Sequence, residues 1–341
     1  MLRNDIETPT GEGGQAAQQD APEARVYALL ADAAAHYRDA LRAVPDGRQY
    51  LQGRGISGAT AGRYGLGFAR REWQDLRPVI ERHDEATALA SGLLAQSSDE
   101  PNARRYDRFR GRVMFPIRDR AGNVAGFGGR VLDGTDPKYM NSPEGPTFRK
   151  REMLYGLYEA EAAIAAAGFA LVVEGYMDVV SLSEAGFSAA VGTLGTACTA
   201  EQIGLLLAIT SDIIFCFDGD AAGRRAAARA LENVLPLATA DRSIRFVFLP
   251  PEHDPDSFVR AHGLAAFEAA IQGAATLAQF LAELVEEGCE LQYAEGRARC
   301  ASRARPYWLA LPAGTVRDGL RDRCAEVLNF SAEDVETMWN H

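Results

Sequence analysis

The chain has 341 residues, a hydrophobic content of 47% and a formal net charge of −11, so it can bury one large core or about two or three smaller ones. No stretch approaches the ~18 consecutive apolar residues of a membrane-spanning helix, and the polar N-terminus lacks the apolar core of a signal peptide, so we expect no membrane association. Its five cysteines form no C-x-x-C pair, which argues against a disulfide framework and a zinc ribbon and favours a reducing cytoplasm.

The N-terminal part reads as a tail followed by helices. Residues 1–24 are polar and contain Gly, Gln and Pro, and we expect them to form a disordered tail. The stretch "ARVYALLADAAAHYRDALRAV" places apolar or small residues on one face at the 3.6-residue period of a helix. Further helical patterns follow at "RQYLQGRG" and between Trp73 and His83, and the polar stretch 98–103 is typical of a linker.

From Arg108 onwards the pattern changes to short β-rich runs. The runs "GRVMFPIRD", "NVAGFGGRVL" and "KYMNS" are separated by Gly, Asp and Pro, which predicts a small curved antiparallel sheet. The second run contains a G-x-G pattern, but no helix follows it. We therefore interpret its glycines as a bulge or a close backbone approach rather than as a nucleotide loop.

Basic residues concentrate in this part of the chain despite the negative net charge. Between Arg104 and Arg151 there are twelve Lys or Arg and five Asp or Glu, so the segment is either a solvated charged face or a surface for a polyanion. Of the 36 basic residues in the chain only two are lysines, Lys138 and Lys150, and both lie here. Either chance explains this choice or these positions need the compact ammonium group that suits phosphate.

From Gly168 onwards strands and helices alternate. The four β-rich runs "FALVVE", "SAAVGTL", "DIIFCFD" and "SIRFVFLP" have helical segments between them, which predicts a mostly parallel sheet covered by helices. Thr199 and Gln202 match a capping box at the start of the second of these helices, a purely structural role. In such sheets, ligands bind at the carboxyl ends of the strands.

Acidic residues stand at the carboxyl ends of three of these strands. Carboxylates packed together repel unless a cation lies between them, and carboxylates without Cys or His neighbours suit a hard ion such as Mg²⁺ or Mn²⁺. The acids are, in chain order, Glu174, Asp178, Asp218, Asp220, Asp254 and Asp256.

Helix capping is the alternative role for some of these acids. Asp220 could cap the following "AAGRRAAARA" helix, and for Asp178 and Asp256 we favour a helix-terminus role over metal binding. For Glu174 and Asp218 we favour metal binding, because each ends a buried strand before any helix has begun.

The residues at these positions resemble a known family. The stretches "VVEGYMDVVSLSEAG", "VGTLGTACTAEQ" and "FCFDGDAAGRRAAARA" are similar to the signature of the TOPRIM domain, which bacterial primases, topoisomerases and some nucleases share. The stretches "RFRGRVMFPIRDRAGNVAGFGGRVL", "PKYMNSPEGPTF" and "LYGLYEA" narrow the resemblance to the catalytic core of bacterial replicative primases of the DnaG type, over residues 25–340.

The resemblance implies an α/β fold, α+β overall, in three parts. A central TOPRIM parallel sheet with flanking helices, residues 167–251, would be preceded by a mixed α/β basic subdomain, residues 25–166. An acidic loop and a helical bundle, residues 252–341, would follow. The implied activity is DNA-directed synthesis of short RNA primers for replication, from ribonucleoside triphosphates on single-stranded DNA, by two-metal phosphodiester bond formation.

The family motifs also imply roles for individual residues. Glu174, Asp218 and Asp220 would be the principal ligands of more than one Mg²⁺ or Mn²⁺ ion, with Asp178, Asp254 and Asp256 completing the cluster. Arg130 and Lys138 would take part in catalysis by neutralising the triphosphate. The expected nucleic-acid or nucleotide-binding residues are Arg108, Arg110, Arg112, Arg130, Lys138, Tyr139, Asn141 and Lys150.

Departures from the family pattern keep two other functions open. "FRKRE" places Arg151 and Glu152 where the family has Gly and Arg. No Cys/His cluster precedes Cys198, so we expect this chain to bind no zinc. A replicative helicase is the family's partner, but we expect its binding domain to be absent because the chain ends after the bundle. The alternatives are a TOPRIM-type metal-dependent nuclease, and a non-catalytic module that binds single-stranded DNA or nucleotides.

Overall fold

The computed structural model describes residues 22–98, 100, 103–195 and 197–340. The chain forms two compact units, one containing the described residues up to Leu51 and Gly65–Arg149, the other containing Gln52–Tyr64 and the described residues from Lys150 onwards. The predicted tail lies outside the described residues as far as residue 21, whereas residues 22–24 already belong to the first helix. No helix in the described part of the chain is long and apolar enough to cross a membrane.

The first unit is built on helix α1, Pro22–Ala43, whose apolar face is buried as its periodicity predicts. This face packs against strands of a four-stranded antiparallel sheet in the order β1-β4-β5-β6. The helical pattern between Trp73 and His83 yields only a four-residue helix. After α1 come α2 (Pro45–Gly53, which crosses from the first unit into the second), α3 (Gly58–Arg63, in the second unit), β1 (Gly67–Ala69), α4 (Arg77–Ile80), α5 (Glu85–Ala90), β2 (Leu94–Gln96), β3 (Arg105–Asp107), β4 (Arg112–Arg118), β5 (Val124–Val131) and β6 (Tyr139–Asn141).

The glycines of β5 allow close packing on this sheet. A Cβ atom at Gly126 would lie 2.9 Å from the ring of Phe148, and one at Gly129 would lie 2.9 Å from the ring of Phe109. The strand continues through both glycines, with a register shift in its pairing with β4 between Ile117 and Arg118, beside Gly126, and with Gly129 paired to Met140 of β6. The small antiparallel sheet and the close backbone approach are therefore confirmed.

The second unit contains a five-stranded sheet in the order β11-β10-β9-β7-β8, parallel except for β11. The alternation of strands and helices that the sequence predicts is confirmed. The elements are α6 (Leu157–Ala167), β7 (Ala170–Val173), α7 (Tyr176–Glu184), β8 (Ala190–Gly192), α8 (Ala200–Leu207), β9 (Asp212–Phe217), α9 (Ala221–Val234), β10 (Ser243–Phe248), α10 (Pro255–His262), α11 (Leu264–Gln272), β11 (Ala275–Thr276), α12 (Leu277–Glu286), α13 (Ala294–Ala310), α14 (Thr315–Leu328) and α15 (Ala332–Asn340).

The register of this sheet brings three strand ends together. Phe217, the last residue of β9, is paired with Phe248, the last residue of β10, and β7 runs parallel to β9 on the other side. The turn after β9 is tight: a Cβ atom at Gly219 would lie 1.8 Å from the backbone oxygen of Leu249. Only glycine fits there, and its lack of a side chain allows the turn after β9 to lie against the backbone that follows β10.

Helices α12 to α15 form the predicted helical bundle. Trp308 and Trp339 are buried with ring centroids 5.3 Å apart, so Trp339 is a packing residue. Arginines of α13 donate to backbone carbonyls: Arg303 to Leu284 at 2.8 Å and Arg305 to Trp339 at 2.7 Å. Guanidinium groups thus satisfy carbonyl groups at the C-terminal ends of α12 and α15.

Candidate functional site

Three of the predicted acids lie where the parallel strands end. Glu174 directly follows β7 and Asp218 directly follows β9. Asp220 is the N-cap of α9, and its Oδ1 accepts the backbone N–H of Gly223 at 2.8 Å. The cap uses one carboxylate oxygen of Asp220, so capping and metal binding are compatible roles for this residue.

These carboxylates are close enough for electrostatic repulsion to raise the pKa values of Glu174 and Asp218. Burial, followed by repulsion from Asp218 and Asp220, raises the pKa of Glu174 to about 7, although the Arg229 guanidinium opposes the shift. Burial, followed by repulsion from Asp254 and Asp220, raises the pKa of Asp218 to about 6. A cation among these side chains would relieve the repulsion, because it favours the ionised form of each carboxyl.

Asp178 and Asp254 have helix-terminus contacts. Asp178 is buried, and its Oδ2 accepts the backbone N–H of Gly175 at 3.0 Å, which closes the start of α7. Burial, with repulsion from Asp254 and Asp218, raises the pKa of Asp178 well above its usual range. Asp254 is the N-cap of α10 and accepts the N–H of Ser257 at 2.7 Å. Both acids therefore orient helices beside the strand ends, and the helix-terminus role favoured for Asp178 is present.

Asp256 lies in a different environment from the other acids. It is 1% exposed and forms ion pairs with Arg54 and Arg260. Its Oδ1 also accepts the hydroxyl of Ser181 at 2.8 Å. The expectation that Asp256 caps α10 is wrong, because Asp254 occupies that position two residues earlier. Two guanidinium groups already neutralise this carboxylate, which argues against a further role in holding a metal ion.

The donor chemistry at the strand ends fits a hard divalent cation. Glu174, Asp218 and Asp220 offer oxygen ligands only, and burial with mutual repulsion raises the pKa values of the first two, which Arg229 only partly opposes at Glu174. Across the described ranges, no three His, Cys, Asp or Glu side chains are close enough to hold one ion together. Any bound ion would therefore need small side-chain movements or water ligands, which Mg²⁺ commonly retains.

A cavity of about 180 Å³ lies beside Glu174 in the second unit. Its lining includes Arg229 and the thiol of Cys198. Burial raises the pKa of Cys198 to about 12, so the thiol stays protonated and inert near neutral pH.

The predicted basic residues of the first unit fall into two groups. Arg130 lies opposite Tyr139 on the paired strands β5 and β6, donates to the Tyr139 hydroxyl and lies 5.2 Å from the ring of Tyr50. Lys138 is exposed, and Asn141 is half-buried two residues beyond Tyr139. Strand β6 is an edge of the sheet. Lys138, Tyr139 and Asn141 give this edge an ammonium group, a phenol and an amide.

Arg112 and Arg108 are engaged with the protein's own backbone. Arg112 is buried, and its guanidinium donates to the carbonyls of Gly129 at 3.2 Å and Pro137 at 2.9 Å. Arg108 is half-buried and donates to the carbonyl of Gly92 at 2.8 Å. The expectation that Arg112 contacts nucleic acid is not supported, because its donors anchor the segment that leads to Lys138.

Lys150 belongs to the second unit, where it begins a short 3₁₀ turn, Lys150–Glu152. The capping-box residues of α8 hold this turn: Gln202 donates to the carbonyl of Lys150 at 2.8 Å and Thr199 donates to that of Arg151 at 2.6 Å. The predicted capping box is confirmed, and it also fixes the backbone from which Lys150 projects.

Sequence reasoning missed an aromatic cluster in the first unit. Trp73 is 51% exposed, the guanidinium carbons of Arg110 and Arg104 lie 4.2 Å and 5.5 Å from its ring, and Tyr106 contacts it edge to face. We call Trp73, Arg104, Tyr106 and Arg110 the Trp73 cluster. A large exposed aromatic ring among guanidinium groups is the type of surface on which nucleic-acid bases stack. The only local signal is a tryptophan two positions after a pair of arginines, in "ARREW", and the guanidinium groups on its ring come from Arg104 and Arg110, which lie later in the sequence.

Three family models match the chain. They are described as the N-terminal domain of the DNA primase catalytic core (residues 36–161), the Toprim domain (168–248) and the DnaB-helicase binding domain of primase (278–333). The expectation that the helicase-binding domain is absent is therefore wrong. Amphipathic helices carried no motif by which the sequence alone could distinguish a bundle of the core from a partner-binding domain.

Curated relatives and solved structures agree with these matches. The DNA primase of Neisseria meningitidis serogroup B is 43% identical over 303 residues, 89% of this chain and 51% of the relative. That of Escherichia coli K12 is 41% identical over 332 residues, 96% of this chain and 57% of the relative. The chain thus spans about half the length of the curated relatives it matches.

Among solved structures, a DNA primase domain from Pseudomonas aeruginosa superposes with a TM-score of 0.87 at 43% identity, covering 93% of this chain and 100% of that one. A DnaG primase catalytic domain bound to single-stranded DNA has a TM-score of 0.84 at 42% identity, covering 92% of this chain and 99% of that one.

Proposed function

Because the chain belongs to the DnaG-type bacterial DNA primases, we propose that it synthesises short RNA primers on single-stranded DNA from ribonucleoside triphosphates. The observation that carries the proposal is the mutually repelling carboxyl cluster at the ends of β7 and β9. Such a cluster is costly to the fold without a cation, which supports a role in binding metal rather than in packing.

Glu174, Asp218 and Asp220 would hold Mg²⁺ or Mn²⁺ in this proposal. When bound, the ions supply charge stabilisation to the attacking 3′-hydroxyl oxygen and to the leaving pyrophosphate. The chain's own part is to present several oxygen ligands on rigid strand ends, and Asp178 and Asp254 would hold the adjoining helices in place. Asp256 would act as a positioning residue, through Arg54 and Arg260.

Arg130 and Lys138 would neutralise the incoming triphosphate, an electrostatic role that involves no proton transfer. Arg130 is suited to it because contact with Tyr139 and Tyr50 restricts its guanidinium. Lys138 is suited because it is exposed, at the end of a segment whose backbone Arg112 fixes.

The Trp73 cluster and the neighbouring basic residues would bind the template. One solved relative is a catalytic domain bound to single-stranded DNA, and we extend that ligand to this chain. Bases would stack on Trp73, while Arg104 and Arg110 would contact phosphates. Asn141 and Lys150 stay proposed contacts of template or nucleotide. We further propose that residues 278–333 bind the replicative helicase in the bacterial cytoplasm, on the strength of the matching family.

A primer-synthesis assay of the intact chain tests the proposal. The assay would contain single-stranded DNA, labelled ribonucleotides and Mg²⁺ or Mn²⁺, with Asp218→Asn as the inactive variant and Asp212→Asn as its control. Asp212 lies on the same strand at the opposite end and pairs with Arg245 at 2.6 Å. We expect RNA products from the native chain and the control only. Degraded template would instead support the nuclease alternative, and DNA binding without products would support the binding module.

A further inference from the structure

Two histidines of the second unit lie together outside the proposed metal centre. His253 is in the loop after β10 and His262 is the last residue of α10. Their Nε2 atoms are 3.3 Å apart, and their ring centroids are 5.0 Å apart with the planes at 81°. Each ring therefore directs its Nε2 towards the other ring, at a distance at which one imidazole N–H donates to the other nitrogen, and a bound ion would take the place of that shared hydrogen.

Both imidazoles are held in place by neighbours. The Nδ1 atom of His253 contacts the hydroxyl of Ser257 at 3.2 Å, and that hydroxyl also accepts the backbone N–H of Asp254 at 3.0 Å. Phe258 packs against both rings, with centroids 5.6 Å from His253 and 4.8 Å from His262. At His253, the hydrogen bond at Nδ1 fixes the ring orientation and leaves Nε2 to act as a ligand, which is the usual arrangement of metal-binding histidines.

The separation of the two nitrogens matches ligands of one tetrahedral ion. Zinc–nitrogen bonds of ~2.0–2.1 Å at a tetrahedral angle place two ligand nitrogens about 3.3–3.4 Å apart. Other histidines differ: His36 contacts Asp75 and His83 contacts Asp32, each at 2.9 Å. Within the described residues, His253 and His262 have no carboxylate partner in an ion pair.

We propose that His253 and His262 bind a divalent transition ion such as Cu²⁺, Ni²⁺ or Zn²⁺, with water completing the coordination. Imidazole nitrogen suits these ions, whereas carboxylate oxygen suits Mg²⁺ and Mn²⁺. The second unit would then carry two cation sites of different chemistry, one with imidazole ligands and one with carboxylate ligands. In the sequence, His253 directly precedes Asp254, the N-cap of α10. The site does not depend on the proposed function, because it rests on ligand geometry alone.

Titration of the whole chain with Cu²⁺ tests the site, because Cu²⁺ binds nitrogen ligands most tightly among the divalent first-row ions. The background variant would be Cys289→Ser with His341→Ala: Cys289 is half-buried whereas the other cysteines are buried, and His341 is the remaining histidine. Excess Mg²⁺ would occupy the carboxylates. We expect one Cu²⁺ per chain and an electron paramagnetic resonance spectrum with two coupled nitrogens.

The variants then assign the ligands. Replacing His262 by alanine should weaken Cu²⁺ binding by about tenfold or more and remove one coupled nitrogen, with an unchanged thermal unfolding curve because His262 is exposed. His83→Ala, a histidine already engaged by Asp32, should change neither the affinity nor the spectrum. Cu²⁺ binding that is equal in the background chain and in the His253→Ala/His262→Ala double variant would overturn the proposal, as would a two-nitrogen spectrum in the double variant.

Discussion

The acidic strand ends of the second unit and the basic surface of the first unit were both visible as charge in the sequence, but they differ in how far that charge could be interpreted. Glu174 and Asp218 lie where the strand pattern places them, because backbone topology brings the ends of parallel strands together. On the basic surface, Arg112 is buried against carbonyls while Arg110 stacks on Trp73. Composition identifies a charged surface, but tertiary packing decides which of its residues face a ligand.

The largest expected effect tests the acidic side of this comparison. Asp218→Asn should lower primer synthesis at least about a hundredfold, the size typical of losing one electrostatic group that acts in the transition state. The fold should persist, since burial already disfavours the charged form of this side chain. Product yield beside a thermal unfolding curve measures both effects. Synthesis at the native rate would mean that the cluster is not the metal centre.

The next prediction separates two aspartates at the start of α10. Asp256→Asn should lower the free energy of unfolding by about 2–3 kcal/mol, somewhat below the usual value for breaking a buried ion pair, because Arg54 and Arg260 are partly exposed. Asp254→Asn is the matched control and should change stability little, since asparagine caps helices about as well as aspartate. Urea unfolding of both variants gives the answer, and equal stability would contradict the assignment of Asp256 as a positioning residue.

The structure also marks the limit of what the sequence could predict. The parallel sheet, the capping box of Thr199 and Gln202, and the glycine-dependent packing of β5 follow local rules of periodicity and backbone geometry. The pairing of Asp256 with Arg54 could not be predicted, because Arg54 is 202 residues away in the sequence. The surroundings of Trp73 are also formed by residues distant in the sequence, since Asp107 of β3 donates its backbone N–H to the Trp73 carbonyl. The local pattern therefore predicts only that Trp73 begins a helix.

A smaller effect separates two cations of the basic surface. Arg112→Ala should lower the free energy of unfolding by about 2 kcal/mol, because hydrogen bonds from a charged group to buried carbonyls are lost. Lys138→Ala should leave stability within about 0.5 kcal/mol, as exposed substitutions usually do, but should reduce synthesis strongly. Parallel unfolding and primer assays distinguish them. If Lys138→Ala made primers at the native yield, the triphosphate role of Lys138 would be refuted.

The smallest expected effect concerns the Trp73 cluster. Trp73→Ala should weaken binding of single-stranded DNA by about 1–2 kcal/mol, roughly tenfold, because one stacked base is lost. Tyr293, which is 56% exposed in the second unit, provides the control variant Tyr293→Ala, and it should leave DNA affinity unchanged. Arg110→Ala should make the slope of the logarithm of DNA affinity against the logarithm of salt concentration shallower by about one, because one phosphate contact is lost. Fluorescence anisotropy at several salt concentrations measures all three. If Trp73→Ala and Tyr293→Ala bound equally well, the template would follow another face of the first unit, and the exposed ring would be a surface residue held by its arginines.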